Sequence, residues 1–369
     1  MEGFCFDIPT RIVFGEHCAR EALPRLPELR GKRILIVSSG RSLHRLGYLG
    51  ELLKCLDAVG ETVLFDRVSA NPKLEEAAEA IALGRARGAE AVLAFGGGSS
   101  IDAAKLTAAG IVSRLSPERI FAENIAPGAP RLPLVAVPTT AGSGSEVSPS
   151  AILSDGTVKR SIRGRSLYPD AAVVDPCFTR SLPWGATVET GFDVFAHAVE
   201  TLVSKKANAL SETYSLKAAQ LVVESLPLLR ADGMHREARA SMSFASLLAG
   251  LNLTLAGTLL PHRLQYPIGA RLDNSHGAGL LALYPAWLRE EYPHSREKLD
   301  AVARLAGGRD VEDLIRWLEA LGARKTLGEL GFAPADVPAL AAEVRGTLDN
   351  DPAYRGPDTV LRLYEKSFE

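Results

Sequence analysis

The chain has 369 residues, 46% hydrophobic and 23% charged, with a formal net charge of −2. That length supports two domains with separate cores, and the mixture is that of an ordinary globular protein. A near-neutral balance argues against a nucleic-acid partner, no apolar run approaches the roughly 18 residues of a membrane span, and no basic start followed by an apolar stretch marks a secretion signal.

In chain order, Arg33–Val37 reads as a buried strand, Leu43–Val59 shows helical spacing and Glu61–Phe65 is strand-like. Asn71-Pro72 breaks the chain before a helix over Lys73–Arg87. Ala91–Phe95 is a third strand and runs into Gly96-Gly97-Gly98-Ser99-Ser100, with a helix expected from Ile101. Leu134–Val137 is a fourth strand ending at Pro138, Asp155-Gly156 suggests a hairpin turn, and Ala171–Val174 closes the series before Asp175-Pro176. This alternation predicts an α/β domain with a mostly parallel sheet, Rossmann-like in its layering. From Thr187 onward the pattern is helical with almost no strand signal, so the expected division is residues 1–180, α/β and nucleotide-binding, and residues 181–369, all-helical and metal-binding. Cys5, Cys18, Cys55 and Cys177 are scattered without ligand spacing and read as reduced thiols of a cytoplasmic protein.

Three groups of residues carry chemistry. The glycine turn, Gly97, Gly98, Ser99 and Ser100 with Asp102 behind it, is either a plain tight turn or an anion site, since glycines let backbone amides approach a phosphate at a helix start. Pro138-Thr139-Thr140-Ala141-Gly142-Ser143-Gly144-Ser145-Glu146 follows the next strand and is dense in hydroxyls, suited to a ribose or nicotinamide, or simply a solvent-exposed turn. Neither Gly-x-Gly-x-x-Gly after the first strand nor a phosphate-loop Gly-Lys-Ser/Thr is present, so the standard dinucleotide fold and nucleotide hydrolases are not indicated. Asp193 and His197 are four apart, on one helix face, and read either as a hydrogen-bonded pair, with His262 a loop histidine and His276 a helix cap, or, with His262 and His276, as a set of one carboxylate and three imidazoles. That set suits zinc or ferrous iron, which would then polarise a substrate oxygen. His17, His44, His235 and His294 lack a partner pattern and are read as surface residues.

The chain resembles the iron-containing (group III) alcohol dehydrogenase family, of dehydroquinate synthase-like fold, nearly end to end. Phe6–Gly15 is similar to the family's opening strand, Gly96–Asp102 to its Gly-Gly-Gly-Ser-x-x-Asp turn, and Pro138–Glu146 to its Pro-Thr-Thr loop. Asp193, His197, His262 and His276 match its four metal-ligand positions. The resemblance implies a nucleotide domain, a helical domain and a cleft between them. It also implies hydride transfer between a small alcohol or aldehyde and NAD or NADP, assisted by Fe²⁺ or Zn²⁺, in a homo-oligomer with a dimer favoured. Ser39, Arg41, Gly97, Gly98, Ser99, Ser100, Asp102, Thr139, Thr140, Ser143 and Ser145 are the expected cofactor residues. His262, Tyr266 and Lys159 are the expected catalytic ones.

The sequence departs from the family where many members carry a histidine four residues after the third ligand; here that position is Tyr266. It departs again after the first strand, where many relatives that use NAD carry an aspartate. Ser39, Arg41 and Ser42 stand there instead and suit a 2′-phosphate, so NADP(H) is expected to be accepted. Alternative readings within the fold are glycerol dehydrogenase, maleylacetate reductase and a dehydroquinate synthase-like cyclase. A non-catalytic metal or nucleotide binder is a further alternative.

Overall fold

Strand residues 34–37 are Ile-Leu-Ile-Val and have no solvent exposure, which requires cover on both faces of the sheet. The computed structural model describes residues 3–39, 41–113, 115–123, 129–156, 158–272 and 276–369. The strands are β1 (Arg11–Phe14), β2 (Ile34–Ser38), β3 (Thr62–Phe65), β4 (Ala91–Gly96), β5 (Leu134–Pro138), β6 (Ser150–Asp155), β7 (Val158–Arg163) and β8 (Ala171–Val174). Six of them form one parallel sheet in the order β1-β8-β5-β4-β2-β3, and β6 and β7 pair as an antiparallel hairpin. The helices of this part are α1 (Cys18–Ala22), α2 (Arg41–Arg45), α3 (Tyr48–Leu56), α4 (Leu74–Ala86), α5 (Gly98–Val112) and α6 (Pro117–Glu123).

Alternation along the strands splits the core in two. Ile34, Ile36, Leu93, Phe95, Val135 and Val137 pack with Leu49, Leu52 and Leu56 of α3 on one face. Leu35, Val37, Val92, Ala94, Leu134 and Ala136 pack with Ile101, Ala104 and Ala108 of α5 on the other. Because β2, β4 and β5 run parallel, the segments that follow them emerge at one end of the sheet.

Two expectations change. The single helix expected over Leu43–Val59 is broken into α2 and α3, with Gly47 between them at φ 77°, a left-handed conformation that glycine takes without steric cost. The helix expected from Ile101 begins three residues earlier, so Gly98, Ser99 and Ser100 form its first turn.

The remainder is helical: α7 (Trp184–Val203), α8 (Ala209–Ala231), α9 (Arg236–Leu255), α10 (Leu260–Leu272), α11 (His276–Leu305, interrupted at Ser295), α12 (Val311–Ala320), α13 (Val337–Glu343) and α14 (Pro357–Lys366). The chain divides into two compact units, Asp7–Leu182 and Pro183–Glu369, the first few residues up to Phe6 going with the second. Among the described residues, no single helix is long and apolar enough to cross a membrane.

Candidate active site

In the helical unit, α7 carries Asp193 and His197 one turn apart, with Glu200 a further turn on. All three are buried, a costly place for charge unless it is paired. The pairing is with histidine: Asp193 Oδ1 lies 3.3 Å from His262 Nε2, 3.5 Å from His276 Nε2 and 3.8 Å from His197 Nε2. The His197 and His262 rings stack at 4.4 Å between centroids, and His262 and His276 stand 5.3 Å apart. The donor atoms of Asp193, His262 and His276 all fall within 4.8 Å of one another. His262 rides on α10 and His276 opens α11. Gly277 lets that helix start approach α7, since a Cβ there would stand 2.3 Å from the Glu189 carbonyl oxygen.

The rings of His262 and His276 are oriented from behind. Glu200 Oε1 takes the Nδ1 proton of His262 at 2.7 Å, and Gln265 Oε1 takes that of His276. Burial alone would raise the Asp193 carboxyl, but the charges of His197 and His276 and the hydrogen bond from His262 hold it well below the usual carboxylate range. Burial opposes charge on His262, yet Glu200 first and Asp193 next push it up to about 9. Tyr266 is nearly buried, with the Arg263 guanidinium 5.8 Å from its ring centroid.

In the α/β unit the glycine turn and the hydroxyl loop are packed together. A Cβ on Gly97 would stand 3.2 Å from Thr140 Oγ1, and one on Gly98 would stand 2.4 Å from Ser143 Oγ. The Thr139 amide donates to the Gly96 carbonyl at 2.9 Å. Ser39 follows β2 beside them, its Oγ 3.6 Å from where a Gly96 Cβ would be. Gly40 and the side chain of Arg41 lie outside the described residues. Ser99 Oγ donates to the Ala70 carbonyl, and Ser100 Oγ is buried with no hydrogen bond among the described residues.

Asp102 and Ser145 turn inward. The Ser145 hydroxyl donates to one Asp102 oxygen and the Ile152 amide donates to the other at 2.9 Å. Lys105, wholly buried, completes the knot: its Nζ donates to Ser145 Oγ at 2.9 Å, Ser148 O at 2.9 Å and Ser150 O at 2.6 Å. Burial pulls the Lys105 ammonium down to about 8 and pushes the nearby Glu146 carboxyl up to about 7. Lys159, on β7, donates to Asn71 Oδ1 at 2.9 Å. Of the histidines set aside, His44 meets Asp66 on the surface and His235 accepts from the Ala238 amide at the start of α9.

Sequence reasoning missed Glu200, Gln265 and Lys105, and gave Glu146 no role of its own beyond closing the hydroxyl loop. Only Lys105 left a local trace, a charge three residues after Asp102 on an otherwise apolar helix.

Residues 9–176 match the family model described as iron-containing alcohol dehydrogenase, and residues 187–368 match that of the Fe-containing alcohol dehydrogenase family, C-terminal. The chain is 30% identical over 389 aligned residues to long-chain-alcohol dehydrogenase 1 of Geobacillus thermodenitrificans (strain NG80-2), covering 97% of each. A solved iron-containing alcohol dehydrogenase, 30% identical, superposes with a TM-score of 0.89 over 100% of this chain and 99% of its own. Sulfoacetaldehyde reductase from Bifidobacterium kashiwanohense, solved in complex with NAD⁺, is 28% identical with a TM-score of 0.88, covering 99% of each chain.

Proposed function

The chain belongs to the iron-containing alcohol dehydrogenase family, an alcohol oxidoreductase family, and from that premise we propose which residues carry its reaction. Asp193, His197, His262 and His276 hold one divalent cation, Fe²⁺ or Zn²⁺. The observation that carries this is a single buried carboxylate oxygen faced by three imidazole Nε2 atoms within 3.8 Å. One oxygen donor with three nitrogens and no sulfur is a set that either ion accepts. The Nδ1 protons of His262 and His276 are taken by Glu200 and Gln265, which leaves the Nε2 lone pairs for a cation. Bound there, the cation supplies Lewis acidity toward a substrate oxygen.

The nicotinamide dinucleotide, NADP or NAD, lies on the α/β unit. Gly97, Gly98, Ser99 and Ser100 approach its phosphates, and Thr139, Thr140 and Ser143 its nicotinamide half. Asp102 and Ser145 act one step back, holding the second loop. Ser39 and Arg41 receive the adenosine ribose, and without an acidic residue at that point NADP(H) is accepted. Tyr266 passes a proton or packs against the substrate, and Lys159 adds positive charge near the cofactor. The substrate is a small alcohol or aldehyde, and the enzyme is a cytoplasmic homo-oligomer, a dimer being favoured.

The test strips the full chain of metal, reloads Fe²⁺ or Zn²⁺, and assays aldehydes of graded size and charge with NADPH and NADH. Turnover is expected only after loading, and His262→Ala is expected to lose both metal and turnover. Activity without a divalent ion would overturn the ligand assignment. A Tyr266→Phe enzyme with unchanged rate would remove the relay role.

A further inference from the structure

Within five residues, α10 carries His262, Gln265 and Tyr266. A spacing of three puts Gln265 on the same face as His262. Gln265 has no solvent exposure, and a primary amide in that position costs stability unless its polar atoms find partners. Its Oε1 does, at 2.5 Å from His276 Nδ1. Its Nε2 makes no hydrogen bond among the described residues.

The direction of the hydrogen bond matters. An amide oxygen accepts, so Nδ1 of His276 carries the proton and Nε2 keeps its lone pair. Nε2 is the atom 3.5 Å from Asp193 Oδ1. The opposite amide orientation would offer N–H to Nδ1 and drive the ring proton to Nε2, where it would block a ligand position. Room for the amide comes from Gly279, where a Cβ would stand 3.0 Å from Gln265 Cγ and 3.2 Å from its Nε2. Gly279 follows His276 by three residues, so one turn of α11 supplies both the imidazole and the space behind it.

We propose that Gln265 is a positioning residue of the cation site, selecting the His276 tautomer that faces Asp193 as Glu200 does for His262. The inference rests on Asp193, His197, His262 and His276 holding a metal.

Metal binding itself is the readout. Metal-free full-length protein is titrated with Zn²⁺ against a chelating dye, and with Co²⁺ while its visible absorption is recorded. Gln265→Leu, which keeps the bulk and loses the acceptor, is expected to weaken Zn²⁺ about 10–100-fold and to alter the Co²⁺ bands. Gln265→Glu, which keeps an oxygen toward Nδ1, is expected to stay within a few-fold of wild type. Gly279→Ala, which crowds the amide from outside, is expected to weaken Zn²⁺ in the same direction, and it carries the test if the Leu variant misfolds. Unchanged Zn²⁺ affinity and Co²⁺ spectrum in both Gln265→Leu and Gly279→Ala would overturn the proposal while leaving the ligand set intact. A wild-type chain that takes up neither ion would overturn both.

Discussion

Glu200 Oε1 accepts from His262 Nδ1 at 2.7 Å, and its Oε2 accepts from the Leu259 amide at 2.6 Å. One buried carboxylate on α7 thus orients an imidazole and fastens the chain where α10 begins. Removing it strands two buried donors and leaves Asp193 as the one carboxylate beside His262 among the described residues. Glu200→Leu is expected to cost about 3 kcal/mol in denaturant unfolding of the metal-free protein and to weaken Zn²⁺ by about 10–100-fold. Glu200→Gln keeps one acceptor and should lose less of both. Full stability and full affinity in the Leu variant would show that the two hydrogen bonds carry no weight.

Lys105 ties α5 to the segment 145–150 through Ser145, Ser148 and Ser150, and the same segment continues the loop that packs on the glycine turn. The ammonium is therefore expected to hold the shape of the cofactor loop without touching the reacting atoms. In Lys105→Met, KM for the nicotinamide dinucleotide should rise about tenfold while kcat at saturating cofactor stays within about twofold, since tenfold corresponds to about 1.4 kcal/mol of lost ordering. Metal content should not change. A fall in kcat with KM unchanged would place Lys105 elsewhere in the cycle.

The parts legible in the sequence were those whose cause is local. Doubly covered strands such as 34–37 and 91–95 show as unbroken apolar runs, because burial on both faces removes the alternation that would blur them. Asp193 and His197 were legible as a pair one helical turn apart, and His262 and His276 joined them only through the family resemblance. What stayed hidden depends on partners far along the chain. Glu200 acquires its meaning from His262, 62 residues away, and Lys105 from Ser145, 40 residues away. Gln265 looked like any polar residue until α10 and α11 brought it against His276. The early start of α5 was missed because a glycine run lowers helix propensity, and there the packing of Gly97 and Gly98 on Thr140 and Ser143 overrides it.

Glu291 and Asp351 are two buried carboxyl groups that share the Ala353 amide, at 2.9 Å from each, while Asp351 also accepts from Trp287 Nε1 and from the Leu260 amide at the start of α10. Burial first and the Asp351 charge second raise Glu291 from 4.5 to about 8. The folded state therefore keeps a proton that the unfolded chain has released. Stability from this group is complete below about 4.5 and is lost as pH rises through about 8. The slope is at most about 1.4 kcal/mol per pH unit for one proton. Melting temperatures from pH 5 to 9 should show wild type losing ground to Glu291→Gln as pH rises. Parallel curves for the two proteins would refute the proton held on Glu291.

Ser39 directly follows β2, and the last residue of that strand, Ser38, pairs with Phe95 just before the glycine turn. A residue placed there would meet the adenosine ribose of a dinucleotide laid over the turn. A carboxylate at the same point would accept from a ribose hydroxyl and repel a 2′-phosphate. Serine imposes no repulsion, which is the basis for expecting NADP(H) to be used. Ser39→Asp is then expected to lower kcat/KM for NADPH at least about tenfold, about 1.4 kcal/mol, while kcat/KM for NADH holds or rises. The ratio of the two, measured on one aldehyde at fixed metal loading, removes any loss common to both cofactors. A ratio that does not move would mean that the ribose lies away from the end of β2, and the basis for expecting NADP(H) would go with it.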